Sequence, residues 1–326
     1  MKRVSMADVA ARAGVSGQTV SRVVNGSPRV DPATRSRVTA AMDALGYRPH
    51  RAARALRTGR TQTLGLVATT LATTGNSRML QAVADAATDR GYSLVVATLG
   101  GETIETAFER LRDQGVDGAI VLNEATASAR DAAVPDDLRL VVVDAPVADR
   151  FDVVQTAHAE GAAEAVRYLL GLGHRTVHHL AGPTGSFSAD ERERGWREAL
   201  AAAGAQTPEP LRGDWSAASG HARGVELPAE ATAVFAANDQ MALGLLRALA
   251  ESGRPVPEEV SVVGFDDVMD AADYRPPLTT VRQDFDTLGA CAVEVLVSRI
   301  ETTGPPRLVS ISAELVVRAS SGPVSH

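Results

Sequence analysis

From Leu64 onward, short apolar runs alternate with Ala- and Leu-rich helix-like segments, and this alternation constrains the fold more than any other feature of the chain. The runs LGLVAT, YSLVVATL, GAIVL, LVVVD, TVHHLAG, TAVFAAN and VSVVGFDD read as strands. Strand and helix repeated in this way predict parallel sheets in an α/β architecture. Roughly 90 residues per half suits two doubly wound subdomains side by side. The chain is expected to pass between them near residue 155 and again through the extended PLTTVRQ segment at 277–283, within a core spanning 63–326.

The first 63 residues differ in kind. They carry twelve basic side chains against three acidic ones, whereas the remainder carries twenty-one against thirty-seven. The overall charge of -7 therefore conceals a basic head on an acidic body, the balance of a polyanion-binding module joined to a second function.

Within the head, Ser5 and Asp8 form a capping-box pattern, and Val9, Ala10 and Ala13 line one side before Gly14 ends the helix. Ser16 caps a second helix with Val20, Val23 and Val24 on one stripe and Gln18, Arg22 and Asn25 on the other. Asp31 and Pro32 open a third helix that stops at Gly46. Helix, tight turn and helix with an exposed polar stripe is the helix-turn-helix arrangement, whose second helix enters the major groove. Gln18 can pair with adenine and Arg22 with guanine through two hydrogen bonds each, and they project from one face. Ser16, Thr19, Ser21 and Asn25 suit phosphate oxygens. A three-helix bundle with a merely polar exterior is the alternative, which the basic excess disfavours.

After this domain at 1–49, residues 50–62 form a linker containing RAARALR at 51–57. Ala53 and Leu56 share one face and Arg51, Arg54 and Arg57 another, as a leucine wedge in a minor groove requires. Packing of Leu56 on the body is the plain alternative.

In the body, ligands of open α/β sheets bind beyond the carboxyl ends of the strands. There stand Asp144, Asn238, Asp239, Asp266 and Asp267, with Ser188 and Arg192 where a loop runs into a helix. Carboxylates, an amide and a guanidinium in one crevice suit a polyhydroxylated ligand such as a sugar, whose apolar face Trp215 and Phe285 can cover. A strand-terminal aspartate can equally cap the next helix. No phosphate loop or dinucleotide fingerprint occurs, so no nucleotide cofactor is expected. His174 and His178 read as structural rather than metal ligands, and Cys291 as a buried thiol. Its being the only cysteine excludes an internal disulfide. No apolar run reaches membrane-spanning length, and Asp8 and Arg12 interrupt any secretory signal behind Lys2 and Arg3. A cytoplasmic protein with no membrane partner is expected.

MADVAARAGVSGQTVSRVVNG and RVDPATRSRVTAAMDALGYRP resemble the DNA-binding head of the LacI/GalR family. AGPTGSFSADERERGW, GDWSAASG, ANDQMALGLLRALAESG, VSVVGFDD and PLTTVRQDF extend the resemblance across nearly the whole chain. It implies a helix-turn-helix head on a periplasmic-binding-protein-like core, acting without catalysis as a repressor under the control of a sugar, with a galactoside such as lactose or allolactose as the expected inducer. Gln18 and Arg22 would read a pseudo-palindromic double-stranded DNA operator, with Gly17 and Ala53 beside them and Leu56 inserted at its centre. Thr69, Asp144, Ser188, Arg192, Asn238 and Asp266 would hold sugar hydroxyls, with Trp215, Gln283 and Phe285 completing the pocket. Gly17 departs from the family pattern by replacing a base-contacting tyrosine. So do Thr73, Thr74, Gly75 and Asn76 in an otherwise more apolar wall, Leu122 in place of an asparagine, and Asp190 in place of an arginine. With no leucine-heptad tail after His326, a homodimer is expected. A different sugar or a purine corepressor, a sugar-transport protein, and a glycoside hydrolase using Asp144 and Asp266 are the alternatives.

Overall fold

The computed structural model describes residues 4–24, 27–47, 59–122, 125–135, 137–146, 150–302 and 304–324, apart from the side chains at 127, 130 and 131. Asn25, Ala53 and Leu56 lie outside the described residues. The chain forms two separately packed units, Met1–Thr61 and Gln62–His326.

In the head, α1 (Met6–Ala13), α2 (Gly17–Val24) and α3 (Pro32–Leu45) surround a small core that includes Val9, Val20, Val30 and Val38. Both halves of the Ser5–Asp8 capping box form, and Gly14 and Gly46 close α1 and α3 in the left-handed conformation. The Ser16 hydroxyl accepts from the Thr19 amide at 3.1 Å and so caps α2.

The body contains two six-stranded sheets. The first is built from β1 (Thr63–Ala68), β2 (Ser93–Thr98), β3 (Gly118–Leu122), β4 (Arg139–Val143), β5 (Asp152–Thr156) and the late β11 (Leu308–Ile311), in the order β11-β5-β4-β3-β1-β2 and wholly parallel. Helices α4 (Thr74–Asp89) and α11 (Phe285–Glu301) cover one face, and α5 (Ile104–Asp113) and α6 (Ala125–Asp131) the other.

The second sheet comprises β6 (His178–Ala181), β7 (Leu211–Arg212), β8 (Ala233–Ala236), β9 (Ser261–Asp266), β10 (Thr279–Arg282) and β12 (Glu314–Val316). Its order is β12-β10-β9-β8-β6-β7, with only β12 antiparallel to its neighbour. Helices α7 (His158–Gly171) and α8 (Phe187–Ala202) pack on one side, and α9 (Ala217–Val225) and α10 (Asp239–Glu251) on the other. The chain therefore passes between lobes after Thr156, after Arg282 and after Ile311. The third passage has no counterpart in the sequence reading, and the segment at 277–283 proves to be β10 followed by the second passage. No helix among the described residues is long and apolar enough to cross a membrane.

His179 illustrates the packing of the second lobe. Its ring stacks on Phe235 at 5.0 Å and lies 5.2 Å from Trp196, and Nδ1 meets the Phe235 carbonyl oxygen at 2.9 Å. Burial pushes its pKa down from 6.5 to about 4. The unfolded chain therefore binds the extra proton between those values. This contribution to stability is complete above pH 6.5 and falls as pH approaches 4, by up to about 3 kcal/mol. Urea unfolding at about pH 7.5 and about pH 5 is expected to show a smaller loss in His179→Phe than in the parent chain; parallel losses would assign the acid sensitivity elsewhere.

Candidate functional site

On the head, Gln18 and Arg22 are exposed on the outer face of α2 while Val20 and Val23 are buried beneath them. Ser16 and Thr19 are hydrogen-bonded to each other through their hydroxyls at 3.0 Å, so they shape the helix start as well as facing outward. A Cβ at Gly17 would meet nothing within 4 Å, so the surface beside Gln18 is open.

In the body, Asp144, Ser188, Arg192, Trp215, Asn238, Asp266, Gln283 and Phe285 line one cavity of about 290 Å³ between the lobes. Thr69, just past β1, is not among its lining residues, and neither are Leu122 and Asp190. Leu122 is fully buried in the core of the first lobe, and Asp190 points outward from α8 among other charged groups. Asp239, although it follows Asn238, turns toward the sheet, where it accepts from Thr280 Oγ1 at 2.6 Å and the Val268 amide at 2.9 Å. Burial and the neighbouring Asp266 raise its pKa well above the usual range.

The deepest groups form a closed circuit across the lobes. Asp144 Oδ1 lies 2.9 Å from His158 Nε2 and accepts from the Thr156 amide at 3.1 Å. Thr156 Oγ1 donates to Gln283 Oε1 at 2.8 Å, and Gln283 Nε2 donates to Asp266 Oδ1 at 2.6 Å. Arg192 Nη2 stands 3.3 Å from Asp266 Oδ1, and its Nε donates to His158 Nδ1 at 3.3 Å, closing the ring. All six side chains are buried. An arginine Nε–H can only donate, so His158 Nδ1 is the acceptor, while Nε2, although 2.9 Å from Asp144 Oδ1, makes no hydrogen bond of good geometry. Thr156 and His158 bracket the first passage between lobes and Gln283 lies in the second. Neither Thr156 nor His158 is singled out by sequence reasoning, and a polar pair at a sheet-to-helix crossing is the signal that marks them.

Burial raises the Asp144 carboxyl, but His158, the Thr156 amide and Arg192 together outweigh it and hold it below its ordinary range. For Asp266 burial prevails over Arg192 and Gln283, and its pKa is raised. The Arg192 guanidinium also donates to the Ala237 carbonyl oxygen and lies 3.9 Å from the centre of the Phe265 ring and 5.5 Å from that of Trp215. Asp144, Trp215 and Asp266 all have positive φ, at 56°, 74° and 115°. Such conformations cost about 1–3 kcal/mol each and persist where the surroundings impose them. Asn238 serves both readings of a strand-terminal polar residue. Its oxygen caps α10 through the Met241 amide at 2.9 Å, and its Nδ2 faces the Trp215 carbonyl at 3.0 Å on the cavity wall.

Among the described residues no group of three or more His, Cys, Asp or Glu side chains is placed to hold a metal. His174 is tied to Thr232, Ser261 and the Gly322 carbonyl, a structural role. Cys291 is only partly buried on α11, more exposed than its alanine neighbours in sequence imply.

Residues 5–50 match the family described as bacterial regulatory proteins, lacI family, and residues 166–321 match a periplasmic binding protein-like domain. The lactose operon repressor of Escherichia coli (strain K12) is 39% identical over 305 residues, covering 91% of this chain and 84% of that protein. The transcriptional regulator CelR of Thermobifida fusca is 39% identical over 340 residues, 98% of each chain. A solved lac repressor dimer bound to operator and the anti-inducer ONPF gives a TM-score of 0.84 at 36% identity, covering 98% of this chain and 100% of that one. A CelR–cellobiose complex gives 0.72 at 36% identity with the same coverage. The chain belongs to the LacI family of bacterial regulatory proteins.

Proposed function

We propose that this regulator is a homodimeric repressor that binds a pseudo-palindromic operator through α2 and is released by a saccharide held between its lobes. The observation that carries the effector assignment is the circuit of Asp144, Arg192 and Asp266, walled by Trp215 and Phe285. It offers fixed hydrogen-bonding groups of both kinds next to aromatic faces, as a hydroxylated ring with an apolar side requires. The carboxylates are engaged by Arg192, His158, Gln283 and Thr156, an arrangement suited to binding and orientation rather than to proton transfer.

A galactoside such as lactose or allolactose is the first choice of effector. A β-glucoside is the second reading, supported by the CelR–cellobiose structure at equal identity and by the polar Thr73 to Gly75 segment on the cavity wall. The sugar acts by favouring one closure of the lobes over another, with coupling of about 1–3 kcal/mol typical of such control. The linker at 50–62, with Ala53 and Leu56, is proposed to transmit that difference to the DNA.

Fluorescence anisotropy of a labelled palindromic operator, titrated with galactosides, glucosides and purines, tests the reading. A galactoside is expected to release the DNA. Release by purines alone would make the inducer a purine, and tighter DNA binding with them would replace the sugar by a corepressor. In the same assay Gln18→Ala and Arg22→Ala are each expected to cost about 1–3 kcal/mol on the operator and much less on random DNA. Equal losses on both would remove base reading from α2.

A further inference from the structure

We propose that Asp267 and Arg282 are the positioning pair of this regulator, an ion pair outside the effector cavity that carries a change at Asp266 into the second and third passages between the lobes. This rests on the effector reading above and names the residues that transmit it.

Two neighbouring residues at the end of β9 meet two neighbouring residues at the end of β10. Gln283 Nε2 donates to Asp266 Oδ1 at 2.6 Å, and the Gln283 amide reaches the Asp266 carbonyl oxygen at 3.4 Å. Arg282 Nε donates to Asp267 Oδ2 at 2.7 Å. Asp266 and Gln283 line the effector cavity, but Asp267 and Arg282 do not. They line a separate hollow of about 480 Å³, beside Arg78, Ser312 and Glu314. The second passage is thus held to β9 by two rungs, one that a sugar can touch and one that it cannot.

The Asp267 carboxylate also reaches the chain returning by the third passage. Arg318, two residues beyond β12, places Nη2 at 2.7 Å from Asp267 Oδ1. Arg318 is fixed on β10 as well, its Nη1 donating to the Leu278 carbonyl oxygen at 2.7 Å and its amide to Thr279 Oγ1 at 2.9 Å. Arg282 stands in register with Asp266 on β9 and with Glu314 on β12. One carboxylate therefore gathers the strand that leaves for the first lobe and the strand that comes back from it.

Asp266 and Asp267 both have positive φ, 115° and 52°, conformations that persist only where the surroundings impose them. Two such residues in succession leave little freedom to shift one carboxylate without the other. The Asp267 side chain is 8% exposed, so losing its partners is costly, whereas that of Arg282 is 49% exposed and can follow a moving strand. A sugar hydroxyl that donates to Asp266 competes with Gln283 for the same carboxylate. Without the outer rung, that change would end at Asp266. With Asp267 gripping Arg282, the segment from Gln283 to Phe285 shifts with the end of β9, and a different closure of the lobes is favoured.

Calorimetry with lactose, cellobiose and the methyl β-glycosides of galactose and glucose, and operator anisotropy with and without each at saturation, test this on the full-length chain. The ratio of operator affinities without and with effector is typically about 5–150 in such systems. Arg282→Ala is expected to bring it toward one, while sugar affinity and sugar-free operator affinity stay within about threefold of the parent chain. Arg282→Lys, which keeps the charge, is expected to restore much of the ratio. Asp267→Asn added to Arg282→Ala is expected to lower it no further, because both remove one link. An unchanged ratio in Arg282→Ala overturns the proposal and leaves the pair a contribution to stability alone. Sugar affinity that falls as far as the ratio, in a chain that still unfolds cooperatively, overturns it by placing Arg282 in the binding site. Sugar binding with an unchanged ratio refutes the link alone, whereas a parent chain that binds none of the four sugars refutes the effector reading and the link with it.

Discussion

Arg192→Ala is expected to abolish the response to effector while leaving operator binding intact. Arg192 is the one guanidinium in the buried circuit, placed against Asp266 and His158 and lying over Phe265. Its removal leaves Asp266 buried without a cation and frees Nδ1 of His158. Breaking a buried pair in this way costs about 3–5 kcal/mol of folding stability, and each charge-assisted hydrogen bond lost to the effector, about 1.5–3 kcal/mol, weakens its binding about tenfold to a hundredfold. Arg192→Lys keeps the charge but not the forked donor geometry, so it is expected to recover little. The head has its own core around Val9, Val20 and Val38, and its exposed Gln18 and Arg22 do not depend on that circuit. Calorimetric effector titration and operator anisotropy on the same preparation check the result, with thermal unfolding as the control. Loss of operator binding in a chain that still unfolds cooperatively would show that Arg192 does not belong to an effector site.

The parts legible in the sequence are those set by local chemistry. The Ser5–Asp8 box, the Asp31–Pro32 helix start and the left-handed glycines at 14 and 46 depend on residues a few positions apart, and the structure shows each. The apolar runs of β1, β3, β4, β6, β8 and β9 are equally readable, because burial on both faces leaves a continuous run, whereas β5, interrupted by Asp152, Gln155 and Thr156, is not. β7 has two residues, and β11 and β12 are short and half-exposed, so neither length nor periodicity announces them. At the cavity, the strand-end rule finds Asp144, Asn238 and Asp266, but it also points to Asp239. Asp239 sits one residue beyond the helix cap, and the turn of α10 carries its carboxylate under β9 and β10. Thr156 and His158 escape notice for the opposite reason. Their partners Gln283 and Arg192 are far away in sequence, and only the repeated passage of the chain between lobes brings them together.

Gly195→Val is expected to damage both stability and effector binding, although Gly195 does not line the cavity. This glycine lies in α8, three residues after Arg192, and a Cβ there would overlap the carbonyl of Ala159, the residue after His158. The two helices approach closely at this point, and their approach is what brings Arg192 to His158. Because the obstacle is backbone, rotation of a side chain cannot relieve it, and α7 must move away from α8. Overpacking of this kind costs about 3 kcal/mol or more. The same displacement separates Arg192 Nε from His158 Nδ1 and opens the circuit around Asp144. Gly171→Ala, in α7 where an added Cβ meets nothing within 4 Å, is the matched control. It is expected to be neutral or to stabilise the chain by up to about 1 kcal/mol. Urea unfolding and effector titration of both variants separate the cases. If Gly195→Val bound effector like the parent chain, the contact between α7 and α8 would be a matter of packing alone, and the geometry of Arg192 would have to be set from the side of Asp266.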